Sequence, residues 1–353
     1  MERVNLPLHG RGASANPANR FEPLHYDGEG DDLGDDGPAS RTQFFKDTTR
    51  TIIATNDSPD VGFDASINPY RGCEHGCCYC YARPYHEYLG LSAGLDFESK
   101  IFVKEDAPEL LRRELSAPRW QPQTIGVCGV TDAYQPIERR LQITRRCLQV
   151  LAEFRNPVAV VTKGHLVTRD IDHLGELARY DAACVFMGIT TLDASLAQEM
   201  EPRATRPEGR LTAIAELTRA GIPAGVLVAP VIPGLTDHEL PAILAAARQA
   251  GAVSAGFVML RLPHGVKDMF TQWLEQHFPD RKEKVLGRIR AIRGGKLNES
   301  DFRKRMKGEG VFAEMVKQMF DLARAKEKFP GKPKLSAAAF RRPGETPLTL
   351  FAE

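Results

Sequence analysis

The segment NPYRGCEHGCCYCYAR, residues 68–83, carries the strongest chemical signal in this sequence. Within it, Cys73, Cys77 and Cys80 form the pattern CxxxCxxC, and two flanking glycines allow a tight backbone around a bulky group. Thiolates this close together on one loop are soft ligands that suit an iron–sulfur cluster or zinc. The loop therefore predicts a metal centre.

The number of ligands separates the two metals. A structural zinc site uses four ligands, usually as two CxxC pairs that lie far apart in the sequence, and this sequence has no second pair. A zinc site would have to recruit His75, His86 or Cys78, whereas a [4Fe-4S] cluster held by three cysteines leaves one iron open for another ligand. The remaining cysteines lie singly in predicted strands or helices, at Cys128, Cys147 and Cys184.

Outward from this loop, short β-branched runs alternate with helical periodicity. Strands are predicted at residues 62–67, 124–130, 158–162, 183–190, 224–229 and 254–260, and helices at residues 138–154, 170–180, 207–220 and 237–250. Strands that alternate with single helices imply right-handed βαβ units and a parallel sheet. The pattern predicts an α/β fold, either a doubly wound sheet or an incomplete barrel, with its chemistry at the carboxyl ends of the strands.

The flanks differ from this core in composition. Residues 1–45 are expected to form a disordered arm, in which residues 1–40 carry eight Asp or Glu against three Arg. The core is predicted at 46–265, and a helical C-terminal extension at 266–353, with an amphipathic helix over 311–326. Within that extension, residues 281–307 hold eleven Lys or Arg against three Asp or Glu, a local charge of +8.

Composition limits the function classes. The net charge of +1 gives no global field toward nucleic acid or an acidic membrane, and 42% hydrophobic residues is ordinary globular composition. Seven cysteines, an odd number, exclude a fully paired disulfide scaffold. No secretory signal is evident, and the longest uncharged apolar run, residues 220–235, contains three prolines. We expect a cytoplasmic protein with reduced thiols and no membrane contact.

The cluster motif, with an aromatic residue before its last cysteine and a position after the first of six strands, resembles that of the radical S-adenosylmethionine enzymes. The resemblance implies a partial (β/α)6 TIM-type barrel, a [4Fe-4S] cluster on Cys73, Cys77 and Cys80, and S-adenosyl-L-methionine as second cofactor. In that family one electron from the reduced cluster cleaves S-adenosylmethionine to methionine and a 5'-deoxyadenosyl radical. Cys78 is expected to be a bystander, because adjacent residues do not readily place both sulfurs on one cluster face.

Further segments narrow the resemblance to one branch of the family. TDAYQPIE, TKGHLVTRD, ITTLD, EPRATRPEGRL and APVIPGLTD, at residues 131–138, 162–170, 189–193, 201–211 and 229–237, are similar to the branch related to spore photoproduct lyase and described as DNA repair photolyase-like. Within that branch the chain resembles a bacterial subfamily. This branch favours an enzyme that repairs or modifies nucleic acid.

The residues that the resemblance assigns to the cofactor lie in the cluster loop or in segments that follow predicted strands. They are Tyr79, Thr131, Asp132, Lys163, Thr190, Glu201, Arg203 and Ile232. Lys163 is expected to contact the carboxylate of S-adenosylmethionine, with a solvated surface lysine as the alternative. Thr190 takes the place of a serine that the family would have at Gly188. Ile232 is expected to pack on adenine. Glu201 and Arg203 are expected to bind the cofactor or to form a bracing salt bridge.

Two residues are candidates for returning a hydrogen atom to the product. Spore photoproduct lyase uses a cysteine near the end of its second strand, and Cys128 lies slightly upstream of that point, where a small buried strand residue is the alternative. Tyr134 is the rival donor. Arg261, at the end of the sixth strand, is a candidate for an anionic substrate or a structural ion pair.

Partners follow from the same resemblance. A reductant of flavodoxin or ferredoxin type is expected, and the basic run 281–307 offers phosphate contacts to nucleic acid, although charged helical faces commonly just face water. Two alternatives stay open: a radical enzyme that acts on a peptide or small metabolite, and a non-catalytic metal-binding protein.

Overall fold

The computed structural model describes residues 8–21, 41–127 and 129–343. Their strands form a seven-stranded sheet and a three-stranded sheet. The strands are β1 (Gln43–Lys46), β2 (Ile53–Thr55), β3 (Ala65–Ile67), β4 (Tyr70–Arg71), β5 (Lys100–Val103), β6 (Ile125–Val127), β7 (Val158–Thr162), β8 (Ala183–Gly188), β9 (Ala224–Val231) and β10 (Ser254–Met259).

The large sheet runs in the order β10, β9, β8, β7, β6, β3 and β2. Strands β3 and β6 to β10 are parallel, and each overlaps one of the six strands that the sequence predicts. Strand β2 adds an antiparallel edge to β3 that the sequence did not reveal, because three residues are too few to show alternation. Within the described residues β2 and β10 do not pair, so the sheet is an open, partial barrel.

Helices separate the parallel strands and cover the outer face of the sheet. They are α1 (Leu95–Ser99), α2 (Ala107–Ser116), α3 (Glu138–Leu141), α4 (Ile143–Phe154), α5 (Ile171–Ala178), α6 (Ala194–Met200), α7 (Pro207–Arg219), α8 (Leu240–Gln249), α9 (Val266–His277), α10 (Pro279–Ala291) and α11 (Val311–Lys326). Short 3-10 helices lie at Arg83–Leu89, His165–Asp170 and Asp237–Glu239.

The long helix predicted at 138–154 is broken in two. Gln142, at φ 53°, takes the left-handed conformation between α3 and α4. The Glu138 carboxylate then accepts the backbone N–H of Thr144 at 3.0 Å, which satisfies one of the unpaired donors at the start of α4. The break is therefore stabilised by a side-chain cap that hydrophobic periodicity does not report.

The small sheet holds the start of the cysteine loop. Strand β4 directly precedes Cys73 and pairs antiparallel with β5, which in turn pairs with β1. The loop thus leaves β3 of the large sheet and is anchored at once on a second sheet. This arrangement places the cysteines at the carboxyl edge of the parallel strands, where the fold predicts the chemistry.

Part of the N-terminal arm packs on the protein. Residues 1–7 and 22–40 of the expected disordered arm lie outside the described residues. For residues 8–21 the expectation of disorder was wrong, because this segment packs on the protein. The backbone N–H of Gly12 and Ala13 donate to the Glu98 carboxylate at 3.1 and 2.9 Å, and Leu95 N donates to Ala15 O at 3.2 Å. The buried Glu98 carboxylate and the bond to Leu95 therefore hold residues 12–15 in an ordered conformation.

The C-terminal extension contacts the cysteine loop, the outer helix α8 and both outer strands of the large sheet or their flanks. Helices α9 and α10 share an apolar cluster with the cysteine loop, and α11 packs on α8. Met259 N, in β10, donates to Met306 O at 2.9 Å, while Arg305 Nε donates to Asp60 Oδ2, between β2 and β3, at 2.6 Å. The segment around residue 305 therefore links the two edges of the open sheet.

No helix in the described parts of the chain combines the length and the apolar character that crossing a bilayer requires.

Candidate active site

Backbone hydrogen bonds hold the cysteine loop, two to other segments and one within the loop. Cys73 N donates to Phe97 O at 2.9 Å, Cys78 N to Met200 O at 3.0 Å, and Cys80 N to Cys77 O at 3.2 Å. Two glycines in the loop, at positions 72 and 76, have φ of 80° and 68°, which side chains rarely adopt. The tight turn that the glycines predicted is therefore present.

A buried ion pair lies under the loop. Arg83 is 0% exposed, and its Nη2 donates to Cys77 O at 2.8 Å and to Glu98 Oε1 at 2.5 Å. Glu98 also receives the backbone donors of residues 12 and 13 described above. This pair was not predicted from the sequence. The signal available was the position of Arg83, three residues after the last motif cysteine.

The three motif thiols form one electrostatic group. None of the described cysteines is in a disulfide, and Cys73 and Cys77 are buried while Cys80 is half-buried. Burial raises the pKa of Cys77 well above its usual value and that of Cys80 to about 11. The charge of Cys73 also opposes ionisation of both thiols, whereas the positive charge of Lys163 favours it. A bound metal would stabilise the thiolate forms.

These observations fit an iron–sulfur cluster. Three unpaired soft donors share one buried, glycine-bounded loop, and Lys163 and Arg83 supply positive charge around it. Cys78 shares the apolar cluster of α9 and α10, and burial raises the pKa of its thiol well above the usual value. In the described residues no three His, Cys, Asp or Glu side chains converge as ligands of a single ion.

Asp132, after β6, fastens the loop to the sheet. Its Oδ1 accepts the Thr162 hydroxyl at 2.6 Å, its Oδ2 accepts Lys163 N at 2.8 Å, and His75 Nδ1 lies 3.4 Å from Oδ2. Burial alone would lower the pKa of His75, but the charges of Asp132 and Cys73 raise it to about 10. A buried imidazolium–carboxylate pair therefore joins the cysteine loop to the end of the strand.

Thr131, the residue before Asp132, also contacts the cysteine loop. Its hydroxyl donates to Gly72 O at 2.7 Å and receives Gln135 Nε2 at 3.1 Å. Gln135 also accepts Glu74 N at 2.9 Å. The contacts of Thr131 and Asp132 thus brace the loop.

Glu201 is the centre of a buried polar network. Its carboxylate accepts the Tyr79 hydroxyl, the Thr190 hydroxyl at 2.8 Å and Arg210 Nη2, and Lys163 Nζ lies 3.6 Å away. Burial alone would raise the pKa of Glu201, but the positive charges of Arg210 and Lys163 hold it at about 2. The network brings together four of the residues that the sequence assigned to the cofactor.

Glu201 and Arg203 both form salt bridges, but not with each other. Glu201 pairs with Arg210, on α7, while Arg203 Nη2 binds Glu74 Oε1 of the cysteine loop at 3.0 Å. Helix α7 turns Arg210 back toward its own start, within reach of the carboxylate. Adjacency in the sequence did not predict either partner.

Lys163 reaches across the strand ends rather than into solvent. Its Nζ donates to Ala229 O at 3.0 Å, at the end of β9. A Cβ atom at Gly188 would lie 2.9 Å from that Nζ, so glycine leaves room for the lysine. Ile232 is fully buried, in the apolar cluster that contains Cys77 and Tyr79. Both side chains therefore lie beside the cysteine loop, and their contacts with the cofactor stay predictions.

The two hydrogen-donor candidates gain no support. Cys128 lies outside the described residues. The Tyr134 hydroxyl is buried and donates to Asp170 Oδ2 at 3.1 Å, in a network with Arg145 and Arg169 that contains no cysteine of the loop. Its role as a donor stays a prediction.

Comparison with known families decides the class. The model of the Radical SAM superfamily matches residues 67–247, which span the cysteine loop and most of the parallel sheet. The chain belongs to this superfamily. It is a radical S-adenosylmethionine enzyme, and its cofactors are a [4Fe-4S] cluster and S-adenosylmethionine. Membership decides against the zinc site and the non-catalytic metal-binding protein.

Individual proteins and one solved structure are also similar to this chain. An uncharacterized protein of Mycobacterium tuberculosis is 34% identical over 232 residues, 64% of this chain and 68% of that protein. The Radical SAM Nalpha-GlyT isomerase of Pseudomonas phage M6 is 27% identical over 173 residues, 48% of this chain and 34% of that protein. A structure of spore photoproduct lyase complexed with dinucleoside spore photoproduct is 14% identical, with a TM-score of 0.55 over 82% of this chain and 80% of that chain. The last likeness confirms the fold.

Proposed function

We propose that this radical S-adenosylmethionine enzyme acts on nucleic acid. The observation that carries the proposal is an uncompensated guanidinium at the carboxyl edge of the sheet. Arg261 follows β10 by two residues and lies 5.1 Å from the ring centroid of Tyr81, next to the last motif cysteine. Within the described residues no carboxylate is at ion-pair distance from Arg261, and its buried Nε has no hydrogen-bond partner.

The surroundings of Arg261 add to its positive charge. Burial and the nearby Arg305 lower the pKa of Arg261, and the charge of Asp60 offsets only part of this effect. Arg305 itself forms an ion pair with Asp60 at 2.6 Å, so this carboxylate already neutralises one of the two neighbouring arginines. A phosphate would supply the missing charge, because guanidinium binds phosphate through paired hydrogen bonds.

This location differs from the basic run 281–307 that the sequence pointed to. Several cations of that run have partners within the protein, namely Lys282 with Glu275, Arg288 with Asp237, Lys304 with Glu309, Arg305 with Asp60, and Arg293 with the carbonyls of Leu260 and Lys304. These residues hold the C-terminal extension in place. We therefore place the phosphate contact at Arg261.

The names of similar proteins point the same way. Spore photoproduct lyase has been solved with a dinucleoside spore photoproduct, and it shares the fold of this chain. That likeness does not extend to residues, since the two sequences are 14% identical. The charge at Arg261 is therefore the independent support for an anionic polymer as substrate.

We further propose that Cys73, Cys77 and Cys80 hold the cluster. When bound, the reduced cluster supplies the electron that cleaves S-adenosylmethionine. The chain's own residues orient that cofactor: the Lys163 ammonium, beside the loop, suits its carboxylate, and buried Ile232 suits its adenine. Glu201 is fully occupied by protein donors, so its proposed role is to position Tyr79 and Lys163.

The finer expectations on partner and location belong to the same proposal. A low-potential cluster needs a one-electron donor, and we expect a flavodoxin or ferredoxin type reductant. Thiols without disulfides and a cluster that must be reduced suit a cytoplasmic location. Cys128 stays the proposed hydrogen donor; its replacement by Ala should divert the product.

The test measures 5'-deoxyadenosine formation with and without nucleic acid. Protein reconstituted anaerobically and reduced with dithionite should cleave S-adenosylmethionine faster when single-stranded DNA or RNA is added. Arg261→Gln should lose this stimulation. Arg155→Gln is the matched control, because Arg155 lies 4.1 Å from the ring centroid of Tyr180 at the opposite edge of the sheet. If neither DNA nor RNA changes the rate or is altered, the proposal fails.

A further inference from the structure

Three tyrosines form an exposed row directly after the last motif cysteine. Tyr81, Tyr85 and Tyr88 are 43%, 52% and 68% exposed, although tyrosine rings usually bury much of their area. The rings of Tyr85 and Tyr88 are 6.4 Å apart, and Phe21 of the N-terminal segment stacks on Tyr88 at 4.9 Å. Tyr85, Tyr88 and Phe21 therefore form an adjoining aromatic surface, and Tyr81 precedes it along the chain.

The protein holds this surface rigidly from beneath. The 3-10 helix Arg83–Leu89 carries Tyr85 and Tyr88 outward, while its inner face buries Arg83, His86 and Glu87. Arg83 forms the ion pair under the cysteine loop, and His86 Nε2 lies 3.0 Å from Lys100 O. The tyrosines thus project from a fixed support, so their exposure is a property of the fold.

One end of the row lies at the mouth of the partial barrel. The Tyr81 hydroxyl donates to Gly129 O, after β6, at 2.8 Å, and Arg261 lies over the Tyr81 ring. The Arg261 guanidinium lies 5.1 Å from the centroid of that ring. At the other end Arg20 lies 4.9 Å from the ring centroid of Phe21 and pairs with Glu87 at 2.6 Å.

We infer that Tyr81, Tyr85, Tyr88 and Arg261, the tyrosine surface, bind an unpaired segment of nucleic acid that leads into the site. Bases stack on Tyr85 and Tyr88, and a backbone phosphate binds Arg261. The inference rests on the proposed function and adds that the substrate is single-stranded, or locally unpaired, where it meets the protein.

The chemistry of the surface favours this occupant over others. Every base has a π-face, so aromatic side chains bind single strands with little sequence preference. A cation beside the rings binds the phosphates between the bases. A duplex hides its base faces, and an enzyme that works on a base must take it out of the stack. An acidic peptide would use Arg261 but would leave the rings without partners.

The experiment measures binding of fluorescent oligonucleotides to the reconstituted protein by anisotropy under anaerobic conditions. The probes are a 15-mer of oligothymidine, the corresponding oligouridine, and a DNA duplex of equal length. The double variant Tyr85→Ala/Tyr88→Ala should bind the single strands about tenfold more weakly or worse, because two stacking contacts are lost. The double variant Tyr85→Phe/Tyr88→Phe keeps both rings and should bind within about twofold of the wild type.

Salt dependence separates stacking from charge. Arg261→Gln should reduce the slope of log affinity against log salt by about one, whereas the tyrosine variants should leave that slope unchanged. Arg155→Gln also removes one positive charge, but Arg155 precedes the start of β7, whereas Arg261 follows the end of β10. This variant should leave affinity and slope unchanged. Thermal unfolding shows whether each variant is folded. If the double alanine variant is unfolded, Tyr88→Glu, at the most exposed of the three rings, tests the same surface.

The outcomes distinguish this inference from the proposed function. If the wild type binds single strands and the double alanine variant or Tyr88→Glu binds equally well, the tyrosine surface is wrong while nucleic acid stays the substrate. Preference for the duplex over both single strands also overturns the inference. If the wild type binds none of the three probes and none stimulates 5'-deoxyadenosine formation, the proposed function fails, and the inference with it.

Discussion

Replacement of Glu201 by Gln tests the buried polar network that holds the cofactor side of the site. Glutamine keeps the shape and the acceptor oxygen for Tyr79 and Thr190, but it removes the negative charge that faces Arg210 and Lys163. Arg210 is almost fully buried, so its charge would be left without a partner in a region that water does not reach.

Two routes give the same magnitude for this change. A carboxyl group whose pKa falls from its usual 4.5 to about 2 on folding stabilises the native state by about 3 kcal/mol at neutral pH. Removal of one partner of a buried ion pair typically costs about 3–5 kcal/mol. We therefore expect Glu201→Gln to lower the free energy of unfolding by about 3 kcal/mol.

Urea unfolding of the metal-free, reduced protein at pH 7, followed by circular dichroism, measures the loss. The control is Glu314→Gln, which breaks an exposed pair with Lys317 at 3.7 Å and should change stability by less than about 1 kcal/mol. Because the folded-state pKa of Glu201 lies below the unfolded value, its stabilisation is complete above about pH 4.5 and is lost as the pH falls toward about 2. A variant as stable as the wild type at pH 7, or a difference that does not shrink over that range, would refute the reasoning.

Three further changes test the surroundings of the cluster. Arg83→Met leaves Glu98 charged and buried, so it should cost about 3–5 kcal/mol in urea unfolding and lower the iron content after reconstitution; full iron and full stability would contradict this. Lys163→Met should weaken S-adenosylmethionine binding about tenfold or more in equilibrium dialysis, because a charge-assisted hydrogen bond is lost; unchanged affinity would remove Lys163 from the cofactor site. Gly188→Ala should weaken the same binding with little loss of stability, since the new Cβ would lie 2.9 Å from the Lys163 ammonium. Gly256→Ala, whose Cβ would contact a leucine methyl at 3.2 Å, is its control and should bind normally.

Regular elements of the core could be predicted from the sequence. Strand β7 and helix α11 have the predicted bounds, because a buried β-branched run and an amphipathic stripe are both strong, local patterns. Helices α7 and α8 each end one residue before the predicted end, and glycines at φ 79° and 102° follow them. Helices α9 and α10 were not predicted individually, because their charged faces hide a narrow apolar stripe.

The contacts of the site were harder to predict. The family resemblance singled out Lys163 and Ile232 as cofactor residues, and the structure places both beside the cysteine loop. The sequence did not identify Arg83 with Glu98, nor Arg210 with Glu201. These pairs depend on how the chain returns across the loop, and spacing in the sequence carries no information on such long-range geometry.

The central claim is that Cys73, Cys77 and Cys80 support cleavage of S-adenosylmethionine. The most direct measurement is the 5'-deoxyadenosine formed by reconstituted, dithionite-reduced protein and by single alanine variants of the cysteines. The wild type and Cys78→Ala should bind about four irons and form the product, whereas Cys73→Ala, Cys77→Ala and Cys80→Ala should form none. A wild type with full iron that forms no product, or product from any of those three variants at the wild-type yield, would contradict the account.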